Sequence, residues 1–241
     1  SLVSADRWAL ASVAIGGVSF VFYSVGFVYG RVAIIVLLFY LTPVWSTLIA
    51  RFVMGWPTPV MRIAAVFVGV AGVAVMLAAD GTVPFPKGVG EWLALASGFF
   101  WSIATAGVRV RPKFDPGIYA FVFAAGACVG ALVLALLLPV PETVASDFQG
   151  GAAVLVAMAT GCLWWGMSIA ALMWAVARLE PARVGILLMS EVLVSAVSAA
   201  VISGERLSAL ELLGGALVIT AAFLELWPSR AGAHGEGSTP G

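Results

Sequence analysis

The sequence predicts an all-α protein that spans a membrane several times. Of its 241 residues 62% are apolar and only 10% are charged, and the mean hydropathy is +1.10. So few charges cannot cover the surface of a soluble protein of this length. The apolar residues form near-continuous runs of about twenty, the length of a transmembrane helix, whereas the strands of a membrane barrel alternate over ~10 residues.

Eight apolar segments divide the chain, so we expect eight transmembrane helices. Their approximate bounds are 8–29, 32–54, 61–79, 91–109, 117–139, 152–177, 182–203 and 208–227. Glycine and proline residues lie in most connections, as expected where helices end. Pro43 lies inside the second segment and has no N–H, so we expect a kink there, where a cavity needs free backbone groups.

The basic residues predict the orientation of these helices. The connections between eight transmembrane helices lie alternately on the two sides of the membrane. Nine Lys and Arg residues then fall on one side and three on the other. The nine are Arg7, Arg51, Arg62, Arg109, Arg111, Lys113, Arg178, Arg183 and Arg230; the three are Arg31, Lys87 and Arg206. The positive-inside rule then places both termini and the 109–116 loop in the cytoplasm and the 139–151 loop outside the cell membrane. The formal net charge is zero, so no nucleic-acid partner is expected.

An ungapped offset of 149 residues superposes segments one to three on segments six to eight. The matched pairs are Gly17 with Gly166, Ser19 with Ser168, Ala33 with Ala182, Leu38 with Leu187, Ser46 with Ser195, Ala50 with Ala199 and Gly55 with Gly204. Segment one runs outward and segment six inward, so the repeat is inverted, a ground plan common among secondary transporters.

This repeat predicts five plus five helices, of which about the first two would precede residue 1. Residues 1–80 would hold the last three helices of the first repeat and residues 90–228 the five of the second. The 229–241 tail, rich in Gly, Ser and Pro and containing His234, is expected to be disordered and cytoplasmic.

Short motifs in the second half resemble the EamA domain of the drug/metabolite transporter superfamily. They are Leu179-Glu180-Pro181-Ala182, Ser190-Glu191, Gly204-Glu205-Arg206-Leu207-Ser208 and Leu212-Leu213-Gly214-Gly215; Thr42-Pro43 and Gly55 resemble the same point of the first copy. The family's Glu-Pro pair is split, because Val192 follows Glu191 and Thr42 precedes Pro43, and Trp56 stands where the family often has a glutamate. The resemblance implies a ten-helix inverted-repeat permease of small organic solutes, often an exporter, with a central cavity.

Glu191 is the first candidate for a functional residue. It lies near the middle of segment seven, where a carboxylate costs roughly 2.5 to 3.5 kcal/mol. Low dielectric disfavours its charged form, so it can exchange a proton near neutral pH or bind a substrate amine. Ser195 lies one turn away on the same face. The alternative interpretation is a protonated side chain that hydrogen-bonds to a neighbouring helix for packing.

Small and polar residues in other segments are candidates for the walls of a cavity. Thr42 and Ser46 are the repeat partners of Glu191 and Ser195, so the two halves would present a neutral and an acidic version of one site. In segment six, Trp165 and Ser168 could contact a planar or cationic solute, although tryptophan also serves as bulk or as an interface anchor. Segment one carries a stripe of Ser12, Gly16, Ser19, Tyr23, Gly26 and Gly30. Helix packing is the favoured interpretation for its glycines, and packing and cavity lining are equally open for Ser19 and Tyr23.

Packing is also the favoured interpretation of three further patterns. The first is the Gly126–Gly130 GxxxG motif, and the second is the band of Trp101, Ser102 and Thr105. The third is the set of glycines in segments three and eight, from which we expect these two segments to lie at the periphery or against a second copy of the chain.

An enzyme is not expected. The helices contain no histidine, no Cys/His cluster and no phosphate-binding loop, so neither a metal nor another cofactor is expected. Cys128 and Cys162 are interpreted as packing residues. The expected partners are a small organic solute and the lipid bilayer. The alternative to a transporter is a structural or assembly membrane protein, which would show the same hydropathy without needing Glu191 or Thr42.

Overall fold

The computed structural model describes residues 2–55, 60–79, 81, 85–110, 116–139, 151–165, 167, 194, 198, 201–202, 204 and 207–226. Every regular element in these residues is a helix, so the predicted all-α class is confirmed. The α-helices are α1 (Leu2–Tyr29), α2 (Val32–Phe39), α3 (Thr42–Phe52), α4 (Val60–Leu77), α5 (Val89–Val110), α6 (Pro116–Leu137), α7 (Gly151–Thr160) and α8 (Ala209–Leu226). A π-helical turn, Gly161–Trp165, follows α7.

Four stretches of the described residues are long and apolar enough to cross a membrane. They are Arg7–Tyr29, Val32–Phe52, Val60–Leu77 and Ile118–Leu137. With 22 residues α5 is long enough as well, but it carries polar residues along its length and packs against α1, α2 and α3. The first part of predicted segment six, 152–165 with residue 167, is described, whereas segment seven lies largely outside the described residues.

Contacts divide the chain into two compact units, Ser1–Leu132 with Val192–Gly241, and Val133–Glu191. In the described part, the first unit contains α1 to α5, most of α6 and α8. The second contains the end of α6, α7 and the π-helical turn. These units group residues by contact, whereas the domains 1–80 and 90–228 group them by sequence repetition, so the latter stay a prediction.

The stripe of small residues on α1 packs against α5. A Cβ atom added to Gly16 would lie 3.1 Å from the Cβ of Ala104, and one added to Gly26 would lie 3.4 Å from the carbonyl oxygen of Gly90. Residues further along α1 contact residues earlier in α5, so the two helices run antiparallel. The close approach of their backbones explains why small residues recur at this spacing.

The GxxxG motif of α6 contacts α1, as predicted. A Cβ atom on Gly126 would overlap the backbone of Ala14, and one on Gly130 would lie 3.2 Å from the Cα of Val18. The two glycines therefore let the backbones of α6 and α1 approach each other.

Helices α4 and α8 pack against each other through glycines. A Cβ atom on Gly69 would lie 3.2 Å from that of Ala221, and one on Gly72 would lie 2.9 Å from the nitrogen of Val218 and 2.8 Å from the carbonyl oxygen of Gly214. The partner numbers fall as those of α4 rise, so these helices are antiparallel. The glycines expected at the periphery or against a second copy thus serve a contact within the chain. The opposite face of α4, including Ile63 and Phe67, is exposed.

The apolar core of the first unit is centred on α2, in which residues 33–38 are all buried. Ile35 and Leu38 are fully buried and contact Met76 and Leu77 of α4 and Ala94 of α5 in one cluster. A helix that is apolar on every side needs protein or lipid all around it. The short α2 is therefore enclosed by the longer helices, and its carboxyl end is held inside the unit.

Candidate functional site

The helical segment Val32–Phe52 is interrupted at its middle, where α2 ends at Phe39 and α3 begins at Thr42. In a continuous helix the carbonyl oxygen of Phe39 would accept a hydrogen bond from the nitrogen of residue 43, but Pro43 has no N–H. The hydroxyl of Thr42 donates to this oxygen instead, at 2.5 Å. The kink predicted at Pro43 is confirmed and is a complete break in the helix.

Ser102 of α5 contacts this break and is fully buried. Its oxygen lies 3.1 Å from the carbonyl oxygen of Thr42 and 2.9 Å from that of Gly98, and it accepts a hydrogen bond of 3.3 Å from the Ser46 hydroxyl. One serine hydroxyl has a single proton and cannot serve both carbonyls at once. We call Thr42, Ser46 and Ser102 the polar junction; it offers more acceptors than donors.

Gly98 allows α5 to approach the break. A Cβ atom at this position would lie 3.1 Å from the Phe39 carbonyl oxygen and 3.5 Å from the Thr42 hydroxyl oxygen. A larger residue would force α5 away from the polar junction. The hydroxyl contacts of Ser102, one turn further along the same face, therefore depend on a glycine at position 98.

Ser19 and Tyr23 of α1 contact neighbours of the polar junction. Ser19 is fully buried and donates a hydrogen bond of 2.7 Å to the carbonyl oxygen of Ser97. The ring of Tyr23 lies 4.5 Å from that of Phe39, measured between centroids. Ser19 thus takes part in the contact between α1 and α5, and Tyr23 covers the last residue of α2.

Trp45 of α3 directly precedes Ser46 and carries a hydrogen-bond donor with no partner among the described residues. Its ring packs edge-on against Phe99 with a centroid distance of 5.5 Å. The indole Nε1 is buried and has no hydrogen-bond partner among the described residues. A buried N–H in this state has its full hydrogen-bonding capacity available to a bound molecule.

The acidic half of the predicted site falls outside the described residues. This applies to Glu191, Ser195 and Ser168. Trp165 ends the π-helical turn, and its side chain is likewise outside the description. Of the eight predicted site residues, the structure brings Thr42 and Ser46 together through Ser102. Ser19 and Tyr23 contact Ser97 and Phe39.

Ser102, for which packing is the favoured interpretation, contacts the break from α5. Trp45, Ser97 and Gly98 take part in contacts at and around the break that the sequence did not predict. A usable signal was present, because Gly98 and Ser102 are four residues apart and so share one helix face. That face could not be matched to Thr42 from sequence, because the two lie on helices whose contact depends on the tertiary fold.

A second polar contact joins the start of α2 to the start of α8. Arg31 forms an ion pair with the Glu211 carboxylate, whose side chain is 7% exposed against 43% for Arg31. Glu211 also accepts a hydrogen bond of 2.7 Å from the backbone nitrogen of Ser208. The hydroxyl of Ser208 accepts one in turn from the Glu211 nitrogen, at 3.3 Å. Ser208 and Glu211 therefore form a capping box, and the arginine neutralises its carboxylate.

Comparison with known proteins identifies the family. The profile of the EamA-like transporter family matches residues 88–227, more than half of the chain. A solved structure titled "Crystal structure of protein" superposes with a TM-score of 0.52 at 21% identity, over 91% of this chain and 78% of the other, which is a likeness of fold. A search of curated proteins found no match. The resemblance stated from the sequence motifs is confirmed, and the chain belongs to the EamA-like transporter family.

Proposed function

We propose that the protein is a secondary transporter that moves small organic solutes across the cell membrane, with its solute site at the break between α2 and α3. The observation that carries this proposal is a membrane-spanning segment interrupted at its middle and lined by Thr42, Ser46 and Ser102. Interrupted helices at the midplane expose polar groups that bind substrates and coupling ions in many transporters.

The chemistry of the break fits a solute that can both donate and accept hydrogen bonds. The polar junction supplies surplus acceptors, and the Trp45 N–H is a buried donor without a partner in the described residues. The rings of Tyr23 and Phe39 pack together, and Phe39 is the last residue of α2 before the break, so we propose that this pair covers the apolar part of a small metabolite or drug.

An inverted repeat is supported by the relation between α4 and α8. Adding 149 to both bounds of Val60–Leu77 gives both bounds of Ala209–Leu226, and the two helices are antiparallel. Adding 149 to Gly69 gives Val218, and subtracting 149 from Ala221 gives Gly72. The contact of Gly69 with Ala221 therefore has an equivalent in the contact of Val218 with Gly72. A pseudo-two-fold axis between repeats relates contacts in this reciprocal way.

The glycines at the ends of the corresponding second helices give independent support for the repeat. Gly55 and Gly204 are 149 residues apart and have φ angles of 67° and 65°, a left-handed conformation that favours glycine. We therefore infer a permease of two five-helix repeats, in which the break at Thr42 has its counterpart at Glu191.

Glu191 would give this site its charge. The repeat places it at the position of Thr42, with Ser195 at the position of Ser46 and Ser168 at the position of Ser19. We propose that Glu191 carries the coupling proton or binds a cationic group of the solute, and that Ser168 and Trp165 line the second wall. The family resemblance favours export.

On the predicted eight-helix topology the starts of segments two and eight lie on the same side of the membrane. The ion pair of Arg31 with Glu211 supports this topology, because it joins the start of α2 to the start of α8. We propose that this end faces outward and that both termini are cytoplasmic. Cysteine labelling in intact cells tests the topology: a cysteine in the 139–151 loop should react with an impermeant reagent before the cells are opened.

The transport proposal is tested with the protein reconstituted in vesicles and a panel of labelled amines, amino acids and neutral metabolites. A solute that is transported by the wild type and not by Ser102→Ala would place the site at the polar junction. Ser24→Ala is the matched control, because Ser24 also bonds to the carbonyl four residues earlier, at 2.9 Å to Phe20. No flux for any solute, with normal insertion, would favour a structural or assembly role.

A further inference from the structure

A cavity of about 260 Å³ opens between α3 and α4. It is smaller than the ~300–1,000 Å³ typical of sites that enclose a drug-sized molecule. Its walls are almost entirely apolar, and two of its aromatic side chains are strongly exposed, Phe52 at 79% and Phe67 at 72%. Its lining includes Thr47, Arg51, Phe52, Ile63, Val66 and Phe67. This combination fits a single apolar chain that enters from the side of the protein.

Arg51 gives the cavity a charged end. It lies in the last turn of α3, is exposed, and forms no ion pair with any residue in the described ranges. Arg62 lies in the first turn of α4, one turn before Val66. Arg51 therefore places a positive charge in the wall of the cavity at the end of α3, and Arg62, which does not line the cavity, directly precedes the lining residue Ile63. Basic pockets between transmembrane helices are a common arrangement for anionic headgroups.

Thr47 provides a second, independent observation that points to a ligand. Its side chain is 4% exposed, and its hydroxyl has no hydrogen-bond partner in the part of the chain that the structure describes. It lines the cavity on the same helix face as Arg51, one turn deeper, at a rise of ~5.4 Å. A buried hydroxyl normally has a partner, so an acceptor from a bound molecule is expected at this point.

We propose that the cavity between α3 and α4 is a binding site for one anionic phospholipid. Its phosphate pairs with Arg51, with Arg62 adding to the positive field. An ester carbonyl oxygen, separated from the phosphate by the glycerol unit, accepts the hydroxyl proton of Thr47. One acyl chain then packs between Phe52, Ile63 and Phe67.

Photocrosslinking of the full-length protein tests this site. The protein is reconstituted in phosphatidylcholine vesicles with a trace of phosphatidylglycerol that carries a diazirine on one acyl chain, and labelled peptides are mapped by mass spectrometry. We expect label on Phe52, Ile63 or Phe67, reduced by unlabelled phosphatidylglycerol but not by added phosphatidylcholine or inorganic phosphate. Equal competition by phosphatidylcholine, or displacement by phosphate alone, would overturn the proposal.

Variants separate the headgroup, hydroxyl and acyl contacts. Arg51→Gln should lower labelling at these residues about fivefold, the factor expected for one basic residue near an anionic lipid. Thr47→Val keeps the shape and should lower it about threefold to tenfold. Val66→Trp should abolish it by filling the cavity. Arg7→Gln, an exposed arginine elsewhere on the same predicted side, is the control and should label like the wild type.

The result is independent of transport, because labelling needs no flux. Wild-type labelling in both Arg51→Gln and Thr47→Val, with thermal unfolding unchanged, would show that the cavity takes bulk lipid without selecting it, and the proposal would be wrong.

Discussion

Thr42 donates its hydroxyl to the carbonyl oxygen of Phe39, the acceptor that Pro43 cannot serve. The proline breaks the helix, and the preceding threonine satisfies the group that the break exposes. The pair of residues therefore allows a helix to be interrupted inside a membrane segment at low cost. A Thr-Pro pair in an apolar run therefore produces a polar site near the middle of Val32–Phe52.

Replacing Thr42 with valine should destabilise the break. Thr42→Val keeps the shape of the side chain but leaves the Phe39 oxygen without the hydroxyl, which costs ~1–3 kcal/mol. Thermal unfolding in detergent should show a lower midpoint, and Thr42→Ser should restore it. Thr220→Val is the control, because Thr220 is an exposed residue of α8 whose hydroxyl donates to the carbonyl of Ala216 in its own helix. Equal losses at Thr42 and Thr220 would contradict the special role of the break.

Ser102→Ala should reduce transport more than stability. It removes the hydroxyl that contacts Thr42 and Ser46, while the backbone bonds of α5 remain. We expect flux of an identified solute to fall at least about tenfold, as when a ~1.4 kcal/mol contact to the solute or its site is lost. The measurement is initial uptake into vesicles at matched protein density. Wild-type uptake by this variant would move the solute site away from the polar junction.

The Arg31 and Glu211 pair should respond asymmetrically to mutation. Arg31→Gln leaves a buried carboxylate without its counter-charge, a change that costs ~3–5 kcal/mol in fully buried pairs and less here because Arg31 is half-exposed. Glu211→Gln leaves an exposed cation that water can solvate, and glutamine retains the capping-box geometry with Ser208. Thermal unfolding should therefore rank Arg31→Gln below Glu211→Gln. The reverse order would show that the ion pair is secondary to the cap.

The contact between α4 and α8 should not tolerate a side chain at Gly72. A Cβ atom there meets the backbone of Gly214 at 2.8 Å and of Val218 at 2.9 Å, and backbone cannot move aside as a side chain can. We expect Gly72→Val to lower the free energy of unfolding by ~1–3 kcal/mol or more. Gly151→Val is the control, because a Cβ atom at Gly151 meets nothing within 4 Å. Unchanged unfolding of Gly72→Val would mean that the two helices do not pack through this glycine.

The sequence predicted the elements that local signals determine. Apolar runs gave the helices, Pro43 gave the break, and the Gly126–Gly130 motif gave a helix contact. Partners between distant segments were harder, because many small residues in an apolar chain offer similar contacts. The pairing of Gly72 with Gly214 and the contact of Ser102 with Thr42 depend on which helices are neighbours, and hydropathy carries no information on that point.

Glu191, the repeat partner of Thr42, should be required for coupling transport to a pH gradient. A carboxylate near the middle of a membrane helix costs roughly 2.5 to 3.5 kcal/mol, and a glutamine would serve packing at lower cost. Ser195, one turn away, can hydrogen-bond to either protonation state. If Glu191 carries the coupling proton, transport driven by a pH gradient needs its ionisation. Glu191→Gln should then insert and unfold like the wild type, lose pH-driven accumulation and keep solute exchange at equal pH. The control is Glu205→Gln, which changes a carboxylate between segments seven and eight, outside the apolar runs, and should transport normally. An unchanged pH profile in Glu191→Gln would make the carboxylate structural, and the proposed site would then consist of the polar junction with Ser19, Tyr23, Trp165 and Ser168.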